Sequence, residues 1–309
     1  MAITKEIKLI YNAIRKNWKD KFWWKQRIPA LLWRYYIKLI GNKGVFVMRE
    51  DWDNLIILDA CRYDTFKEVT GINCDYRISR GSTTGEFLRE NFANHKFNDT
   101  IYITANPWVN VLVGSSFYKI VSVWRNEWDE KLNTVLPQKV VKYAIETEKK
   151  YPDKRLIIHF LQPHQPYIRD PELDPYGCRE MLVIAETKNL QTSYWLDIWR
   201  KVAKGDLDLE KVYNAYKRNL EAVMPHAIRL ARKLKGKTVI TADHGEAFND
   251  WAFPFPFKVL SHISYVHIPA LVKVPWFVLE SEERKEIKEE EEKRKIKDQV
   301  RRLKERRIL

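Results

Sequence analysis

The chain alternates short apolar segments with segments of helical periodicity, and this alternation constrains the fold more than any other feature. Residues 54–59 (NLIILD) have no polar face, which predicts a strand buried on both sides of a sheet. Strands that alternate with helices are typical of an α/β fold with a mostly parallel central sheet and helices on both faces. A kink or break is predicted at Pro225. Further strands are predicted at 100–104, 155–161, 238–242 and 270–274, and helices at 84–92, 137–149 and 207–234.

The composition is that of a globular protein. Hydrophobic residues make up 45% of the 309 residues and charged residues 31%, which excludes wholesale disorder. No uncharged apolar stretch approaches the roughly 18 residues of a membrane-spanning helix, and no secretory signal is visible. The three cysteines are irregularly spaced, which argues against a disulfide framework or a CxxC metal site. We therefore expect a cytoplasmic protein in a reducing compartment.

The formal net charge of +14 is concentrated at the two ends of the chain. Residues 1–45 carry +9 and residues 281–309 carry +3, which leaves +2 for residues 46–280. A nearly neutral body argues against nucleic-acid binding. We predict one domain at 46–280, preceded by a basic aromatic helical extension at 1–45 and followed by a charged, exposed helix at 281–309.

The N-terminal extension interleaves basic and aromatic residues, and Pro29 is predicted to divide it into two helices. Such a helix suits the surface of an anionic membrane, where indole rings sit at headgroup depth and basic side chains meet anionic lipid. This alternative makes the protein peripheral at a membrane. The other alternative is that the same aromatic residues pack on the main domain or between subunits. They are Trp18, Phe22, Trp23, Trp24, Trp33, Tyr35 and Tyr36.

Polar residues follow three apolar runs that are far apart in the sequence. Asp59 ends the first run, and His164 follows the run that begins at residue 155. Asp243 and His244 follow the run that begins at residue 238. In sheets of this kind, ligands bind beyond the carboxyl ends of the strands. Asp and His are ligands for a divalent cation, so the sequence predicts a metal site built from Asp59, Asp243 and His244.

A candidate nucleophile precedes the helix predicted at 84–92. The segment 79–85 (SRGSTTG) places hydroxyl groups at the helix N-terminus, which attracts anions through its free N–H groups. A hydroxyl at this position is either a helix cap or a nucleophile activated by a metal. Thr83 and Thr84 satisfy both alternatives.

Four motifs, in this order along the chain, resemble the sulfatase-like branch of the alkaline phosphatase superfamily. Residues 54–66 (NLIILDACRYDTF) resemble its opening strand, and 159–168 (HFLQPHQPYI) resemble its substrate-side His-x-Pro-Tyr segment. Residues 238–248 (TVITADHGEAF) resemble its second metal motif, and His262 resembles a later histidine that precedes a Val-Pro strand. The likeness is greatest to archaeal sulfatase-like proteins of undefined substrate.

The resemblance implies an alkaline-phosphatase-like core with a catalytic domain at 46–280. It implies that Thr84 is both a metal ligand and the nucleophile, with Thr83 as the fallback. The metal, of unassigned identity among Zn, Mn, Mg and Ca, would be held by Asp59, Asp243 and His244. His164 and His262 would hold a substrate oxyanion or a second metal. Arg62 would contact substrate or orient the first loop.

The chain departs from true sulfatases in two places. It has no C/S-x-P-x-R segment, and Ala60 stands where many sulfatases have a second Asp. Both departures favour a threonine-using phospho-transfer enzyme. The predicted function is a metal-dependent hydrolase of phosphate or sulfate esters, acting on a small molecule or on a lipid- or glycan-linked ester. The alternatives are a phospho-headgroup transferase at a membrane surface, an inactive member of the same fold, and a non-catalytic binding protein.

Overall fold

A seven-stranded sheet forms the centre of the protein, as seen in a computed structural model that describes residues 11–174 except 13, residue 182, and residues 197–288. Along the sheet, the strands are β2 (Asp75–Ile78), β11 (Lys273–Leu279), β8 (Thr238–Thr241), β1 (Asn54–Asp59), β7 (Arg155–Pro163), β3 (Phe97–Thr104) and β4 (Phe117–Ser122), numbered in chain order. β1 pairs in parallel with β7 and β8, and β3 pairs in parallel with β7 and β4. Only β11 runs antiparallel, to both β8 and β2. The predicted α/β fold with a mostly parallel sheet is confirmed.

The elements follow one another in an alternating order. Two small hairpins comprise β5 (Trp128–Asp129) with β6 (Thr134–Val135), and β9 (Phe248–Trp251) with β10 (Lys258–Leu260). The helices are α1 (Lys21–Ile40), α2 (Tyr63–Thr70), α3 (Thr84–Phe92), α4 (Trp108–Val113), α5 (Trp124–Glu127), α6 (Pro137–Lys150), α7 (Asp197–Lys204), α8 (Leu209–Ala231) and α9 (Pro269–Val272).

The central strand β1 is buried along its whole length because helices cover both faces of the sheet. Ile56 and Leu58 point into a core shared with α6 and α8. Leu55 and Ile57 point to the opposite side, into a core shared with α3 and α4. Successive side chains of a strand alternate between its faces, so an all-apolar strand needs two cores.

The effect of two prolines on their helices and the start of one strand differ from the sequence predictions. Both α1 and α8 run continuously through Pro29 and Pro225, so neither proline divides its helix. Each helix buries an apolar face on the domain, and this packing outweighs the loss of one backbone hydrogen bond. The strand predicted at 270–274 begins later, since Pro269–Val272 forms α9 before β11.

The N-terminal helix α1 packs on the domain through one face. The Asp20 carboxylate caps it by accepting from the backbone N–H groups of Phe22 and Trp23 at 3.0 and 3.1 Å. Phe22 and Trp33 are buried, and Gln26 donates to the Leu260 carbonyl at 3.2 Å. This part of the aromatic set therefore belongs to the core. No helix among the described residues is long and apolar enough to cross a membrane.

At the other end of the chain, residues 281–288 contain no helix. Arg284 lies 2.7 Å from Asp51 and 2.5 Å from Asp53, which ties this segment to the loop before β1. The remainder of the charged helix predicted at 281–309 lies outside the described residues.

Candidate active site

The candidate active site lies where neighbouring parallel strands end. Asp59 is the last residue of β1, and Asp243 follows the end of β8, the strand that pairs with β1. β7 pairs with the other side of β1. Directly after β7, the backbone N–H of His164 donates to the Asp59 carbonyl oxygen at 3.0 Å. All three side chains are buried. The strand-end positions predicted from the sequence therefore meet at one edge of the sheet.

Potential metal ligands lie close together at this edge, where Asp59, His159 and Asp243 offer ligand atoms within 4.8 Å of one another. Thr84 Oγ1 lies 3.2 Å from His244 Nε2 and 3.4 Å from Asp59 Oδ1. His244 Nε2 lies 3.6 Å from Asp59 Oδ1 and 3.5 Å from Asp243 Oδ2. Tetrahedral ligands about 2.0–2.1 Å from a cation are roughly 3.3 Å from one another. The observed separations therefore match the donor spacing of a divalent-cation site.

The hydrogen bonds around this cluster leave lone pairs that face one another. His244 Nδ1 donates to the Gly245 carbonyl at 2.7 Å, so Nε2 of the neutral ring carries a lone pair towards the carboxylates. Asp243 Oδ1 accepts from the backbone N–H groups of Ala60 and His244. Asp243 Oδ2 is buried and accepts no hydrogen bond from the part of the chain that the structure describes. A bound cation would satisfy Asp243 Oδ2, whose burial without a hydrogen-bond partner is costly.

Asp59 is oriented from its other side by two residues. Its Oδ2 accepts from Asn106 Nδ2 at 2.7 Å and lies 3.5 Å from His159 Nε2. The hydroxyl of Tyr102 lies 2.9 Å from His159 Nδ1 and orients the ring. Burial by itself raises the pKa of Asp59. The interactions of Asp59 with the neighbouring side chains of His159, His164 and His244 outweigh burial and hold that pKa well below its usual value.

The two adjacent threonines point in different directions. Thr84 is the first residue of α3, and its hydroxyl faces the Asp59 and His244 side chains. Thr83 is the N-cap, and its Oγ1 accepts from the backbone N–H of Glu86 at 3.3 Å. The geometry thus brings Thr84 to the metal-ligand cluster and places Thr83 as a helix cap. Their catalytic roles remain predictions.

A second cluster of potential ligands, His164, Glu246 and His262, lies beside the first. Their ligand atoms all lie within 4.8 Å of one another. Nδ1 of His262 lies 3.1 Å from both carboxylate oxygens of Glu246. The centre of the His262 ring lies 4.7 Å from the centre of the His244 ring. The structure therefore brings together the two histidines that the sequence assigned to metal and substrate. Their position suits a substrate oxyanion or a second cation.

Arg62 links two loops at the edge of the site. Its guanidinium lies 2.8 Å from Asp250 and 2.5 Å from Asp64, and it donates to the Glu246 carbonyl at 3.1 Å. Burial lowers the pKa of Arg62, but the two carboxylates that accept from its guanidinium outweigh burial and raise that pKa above its ordinary value. This arrangement suits the loop-orienting alternative. Substrate binding by Arg62 stays a prediction.

Three residues of the site were not singled out from the sequence. His159 is the polar interruption of the apolar run at 155–161, which is a signal that a buried polar partner exists. Asn106 follows the end of β3, the same kind of strand-end position that identified Asp59. Glu246 stands inside the Asp-His-Gly-Glu motif. Gly245, the residue before Glu246, packs against the backbone of Ala270, and a Cβ at Gly245 would lie 2.1 Å from the Ala270 carbonyl oxygen.

No protein-family model matches the chain, and no curated protein sequence matches it. Comparison with solved structures gives matches of low sequence identity. One is the integral membrane protein lipooligosaccharide phosphoethanolamine transferase A (EptA) from Neisseria meningitidis, with a TM-score of 0.49 and 13% identity. The match covers 74% of this chain and 47% of that one, so the chain spans about half the length of this neighbour.

Two further structures have lower TM-scores. The C-terminal periplasmic domain of EptC from Escherichia coli, in complex with Zn, gives a TM-score of 0.43 at 16% identity over 74% of this chain and 72% of that one. A protein in the alkaline phosphatase superfamily from Vibrio parahaemolyticus gives 0.37 at 12% identity over 76% and 61%. At these values the likeness assigns neither family nor activity to this chain.

Proposed function

We propose that the chain is a metal-dependent enzyme that transfers a phosphate-ester group through a covalent intermediate on Thr84. The observation that carries this proposal is the position of the Thr84 hydroxyl, within 3.4 Å of Asp59 and 3.2 Å of His244 in a buried cluster of metal-ligand atoms. A threonine that served only as a cap would not need buried Asp and His side chains around its hydroxyl.

The fit of the residues supports a divalent cation at this cluster. Asp59, Asp243 and His244 would hold it, and Thr84 Oγ1 completes the donor set. When bound, the cation would lower the pKa of the hydroxyl and offset the negative charge that develops on the transferred group. His159 and Asn106 keep Asp59 in position. Several divalent metals accept mixed nitrogen and oxygen ligands, and metal analysis of the purified protein identifies the one that binds.

The first half of the reaction uses the residues as follows. Thr84 Oγ1 forms a bond to phosphorus, and the bond from phosphorus to the oxygen of the leaving alcohol breaks. Because Asp59 Oδ1 and His244 Nε2 would hold the cation, the hydroxyl proton passes to water, and the leaving alkoxide takes up a proton from water. His164 and His262 lie beside this point and would hold oxygens of the phosphate group.

The second half of the reaction decides between a transferase and a hydrolase. An acceptor oxygen loses its proton and bonds to phosphorus, while the bond from phosphorus to Thr84 Oγ1 breaks and Thr84 regains a proton. An alcohol acceptor gives a phospho-headgroup transferase, and water gives a hydrolase. We place the transferase first, and because EptA is a phosphoethanolamine transferase, phosphatidylethanolamine is the first donor to test. Hydrolysis remains the second candidate because it shares the whole first step.

The proposal is tested by incubating the purified chain with phosphatidylethanolamine or p-nitrophenyl phosphodiesters and with Zn, Mn, Mg or Ca. We expect a phosphate-containing mass increment on the peptide that contains Thr84, and release of the donor alcohol. Thr84→Ala should lower turnover at least about a thousandfold, as for the loss of a nucleophile. Thr84→Ser, which keeps the hydroxyl, should retain measurable turnover.

Thr83→Ala is the matched control, since it removes a hydroxyl one residue away. It should cost about 0.5–2 kcal/mol of stability as the loss of a cap and leave the adduct on Thr84 intact. An adduct on another residue, or equal turnover in Thr84→Ala and the parent, would contradict the proposal. Absence of turnover and adduct with every donor and metal would favour the inactive alternative.

A further inference from the structure

The face of α1 that points away from the domain is apolar. We call Ile28, Leu31, Leu32, Tyr35 and Leu39 the outer stripe. These side chains are 46%, 54%, 37%, 63% and 84% exposed. Their spacing of three and four residues puts them on one side of the helix, opposite Phe22 and Trp33, which are buried. The helix thus has two apolar faces, and the described part of the domain covers one of them.

Positive charge borders the outer stripe. The helix Lys21–Ile40 contains no acidic residue. Its charged residues are Lys21, Lys25, Arg27, Arg34 and Lys38, all exposed. Apolar residues bordered by lysine and arginine are the pattern of helices that lie in the interface of an anionic bilayer.

The outer stripe is part of a fixed surface because the inner face of α1 is anchored. Arg200 lies 2.5 Å from Asp20, the capping residue of α1. The ring of Phe255, in the loop between β9 and β10, lies 6.0 Å from the rings of both Trp33 and Tyr36. These contacts hold the helix against the domain with the stripe outwards.

The β9–β10 hairpin extends the exposed aromatic surface. Trp251 is 55% exposed and Phe253 is 75% exposed. The ammonium group of Lys258 lies 5.1 Å from the centre of the Trp251 ring. Because the hairpin contacts α1 through Phe255, exposed aromatic and basic residues lie on two adjacent elements. A tryptophan beside a lysine suits the headgroup region of a membrane.

We propose that the outer stripe and its basic border dock the protein on an anionic bilayer, with the stripe in the interface and the Lys and Arg side chains at the lipid phosphates. A second copy of the chain would cover the apolar residues but would bring two helices, each with five positive charges and no acid, against each other. An anionic bilayer satisfies the apolar and the basic residues at the same time.

The docking surface lies near the candidate active site in the fold. The guanidinium of Arg34 lies 5.4 Å from the ring of Tyr265. The backbone N–H of Tyr265 donates to Glu86 at 2.9 Å, and Glu86 belongs to α3, the helix that begins at Thr84. The docking inference itself does not depend on the reaction at Thr84, because it is measured by binding to lipid.

The test is co-sedimentation of the full chain with vesicles of phosphatidylcholine alone and with roughly a third phosphatidylglycerol, at about 0.05 M and about 0.5 M salt. We expect binding to the anionic vesicles at low salt and weaker binding at high salt. A triple variant, Leu31→Ser with Tyr35→Ser and Leu39→Ser, removes exposed apolar area without changing charge. It should lower the partition coefficient between vesicles and water at least about 10-fold.

A second variant tests the charge. Lys25→Gln with Arg27→Gln and Lys38→Gln should lower partitioning about 100-fold. The charge-matched control on α6 is Lys142→Gln with Lys149→Gln and Lys150→Gln, and it should bind within about twofold of the parent, because surface charge away from the membrane acts only weakly across a screened distance. Melting curves check that each variant is folded.

Three results would overturn the inference. The first is that the parent chain fails to bind anionic vesicles at low salt. The second is that the α6 control loses as much binding as the α1 charge variant. The third is a parent chain that is dimeric by light scattering while the stripe variant is monomeric, which would assign the stripe to a second copy.

Discussion

At the scale of single residues, a strained turn holds the two carboxylates of the site together. Ala60 has a φ of 61°, in the left-handed region, which costs about 1–2 kcal/mol for a residue with a side chain. Its N–H donates to Asp243 Oδ1, and its carbonyl accepts from the Tyr216 hydroxyl at 2.7 Å. Because Ala60 follows Asp59 directly, this turn fixes the end of β1 against the residue that follows β8.

Asn106 provides a residue-scale test of this arrangement. Asn106→Ser shortens the side chain that donates to Asp59 Oδ2, so the carboxylate should lose its fixed orientation. We expect affinity for a divalent cation to fall about 10–100-fold, the usual effect of removing such a partner. Calorimetric titration with Zn or Mn measures this directly. Unchanged affinity would show that Asn106 does not orient a metal ligand. The surface substitution Gln138→Ser on α6 serves as the control.

The sequence was most informative about the residues that its strand-end pattern selects. Asp59, Asp243 and His244 converge because the carboxyl ends of parallel strands share one edge of the sheet. The pattern did not distinguish Thr83 from Thr84, since both precede a helix and only the helix start decides which hydroxyl points inwards. His159 was overlooked because a strand buried on both faces gives no periodic signal for an inward polar residue.

At the scale of elements, Glu86 ties the start of α3 to the loop before α9. Its Oε2 accepts from the backbone N–H groups of Ser82 and Tyr265 at 3.0 and 2.9 Å, and His267 Nε2 lies 2.8 Å from Oε1. Burial raises the pKa of Glu86, but the hydrogen bond and charge of His267 and the two backbone N–H groups outweigh burial and lower it. This carboxylate therefore supports the helix that carries Thr84.

The lowered pKa of Glu86 predicts how stability responds to acid. A carboxyl group whose pKa is lower in the folded state stabilises the fold above its unfolded pKa and loses that contribution as the pH falls through the folded value. Glu86→Gln should be less stable than the parent at neutral pH by about 1–3 kcal/mol. The difference should shrink as the pH falls below the ordinary value of 4.5.

Urea denaturation at several pH values measures this difference. The exposed Glu90→Gln on the same helix is the control and should give a much smaller difference at neutral pH. A constant difference between Glu86→Gln and the parent across the pH range would contradict the assigned role of the carboxylate.

Element boundaries were predictable where packing and local pattern agree. The helix predicted at 84–92 is observed as Thr84–Phe92, and β1 is observed at the predicted residues. Of the kink or break predicted at Pro225, the break is not observed, because α8 buries a long apolar face that includes Val223 before the proline and Leu230 after it. Local propensity cannot report such packing, since it depends on residues far away in the sequence.

At the scale of the whole molecule, α1 is both a part of the core and a carrier of exposed apolar surface. Trp33 packs in a cluster with Val259 and Ile263, which belong to the segment that carries His262. The sequence offered membrane contact and packing as alternatives for the same aromatic residues. In the structure, Phe22 and Trp33 pack on the domain, whereas Tyr35 is exposed.

Removing residues 1–41 tests the contribution of this helix to stability. Phe22 and Trp33 are 8% and 5% exposed, and each such buried side chain contributes at least about 1.5–3 kcal/mol. The shortened chain should melt at a clearly lower temperature than the parent and expose apolar surface to a fluorescent dye. Equal melting temperatures by calorimetry would contradict the assignment of α1 to the core.

The central claim is that Asp59, Asp243, His244 and Thr84 form a divalent-cation site. Anomalous X-ray scattering from crystals of the full chain grown with Zn or Mn tests it most directly. We predict a peak within about 2.6 Å of a carboxylate oxygen of each Asp, Nε2 of His244 and Oγ1 of Thr84. The peak should be lost in Asp243→Asn. Ions bound only elsewhere, with these four side chains contacting none of them at saturating metal, would contradict the account.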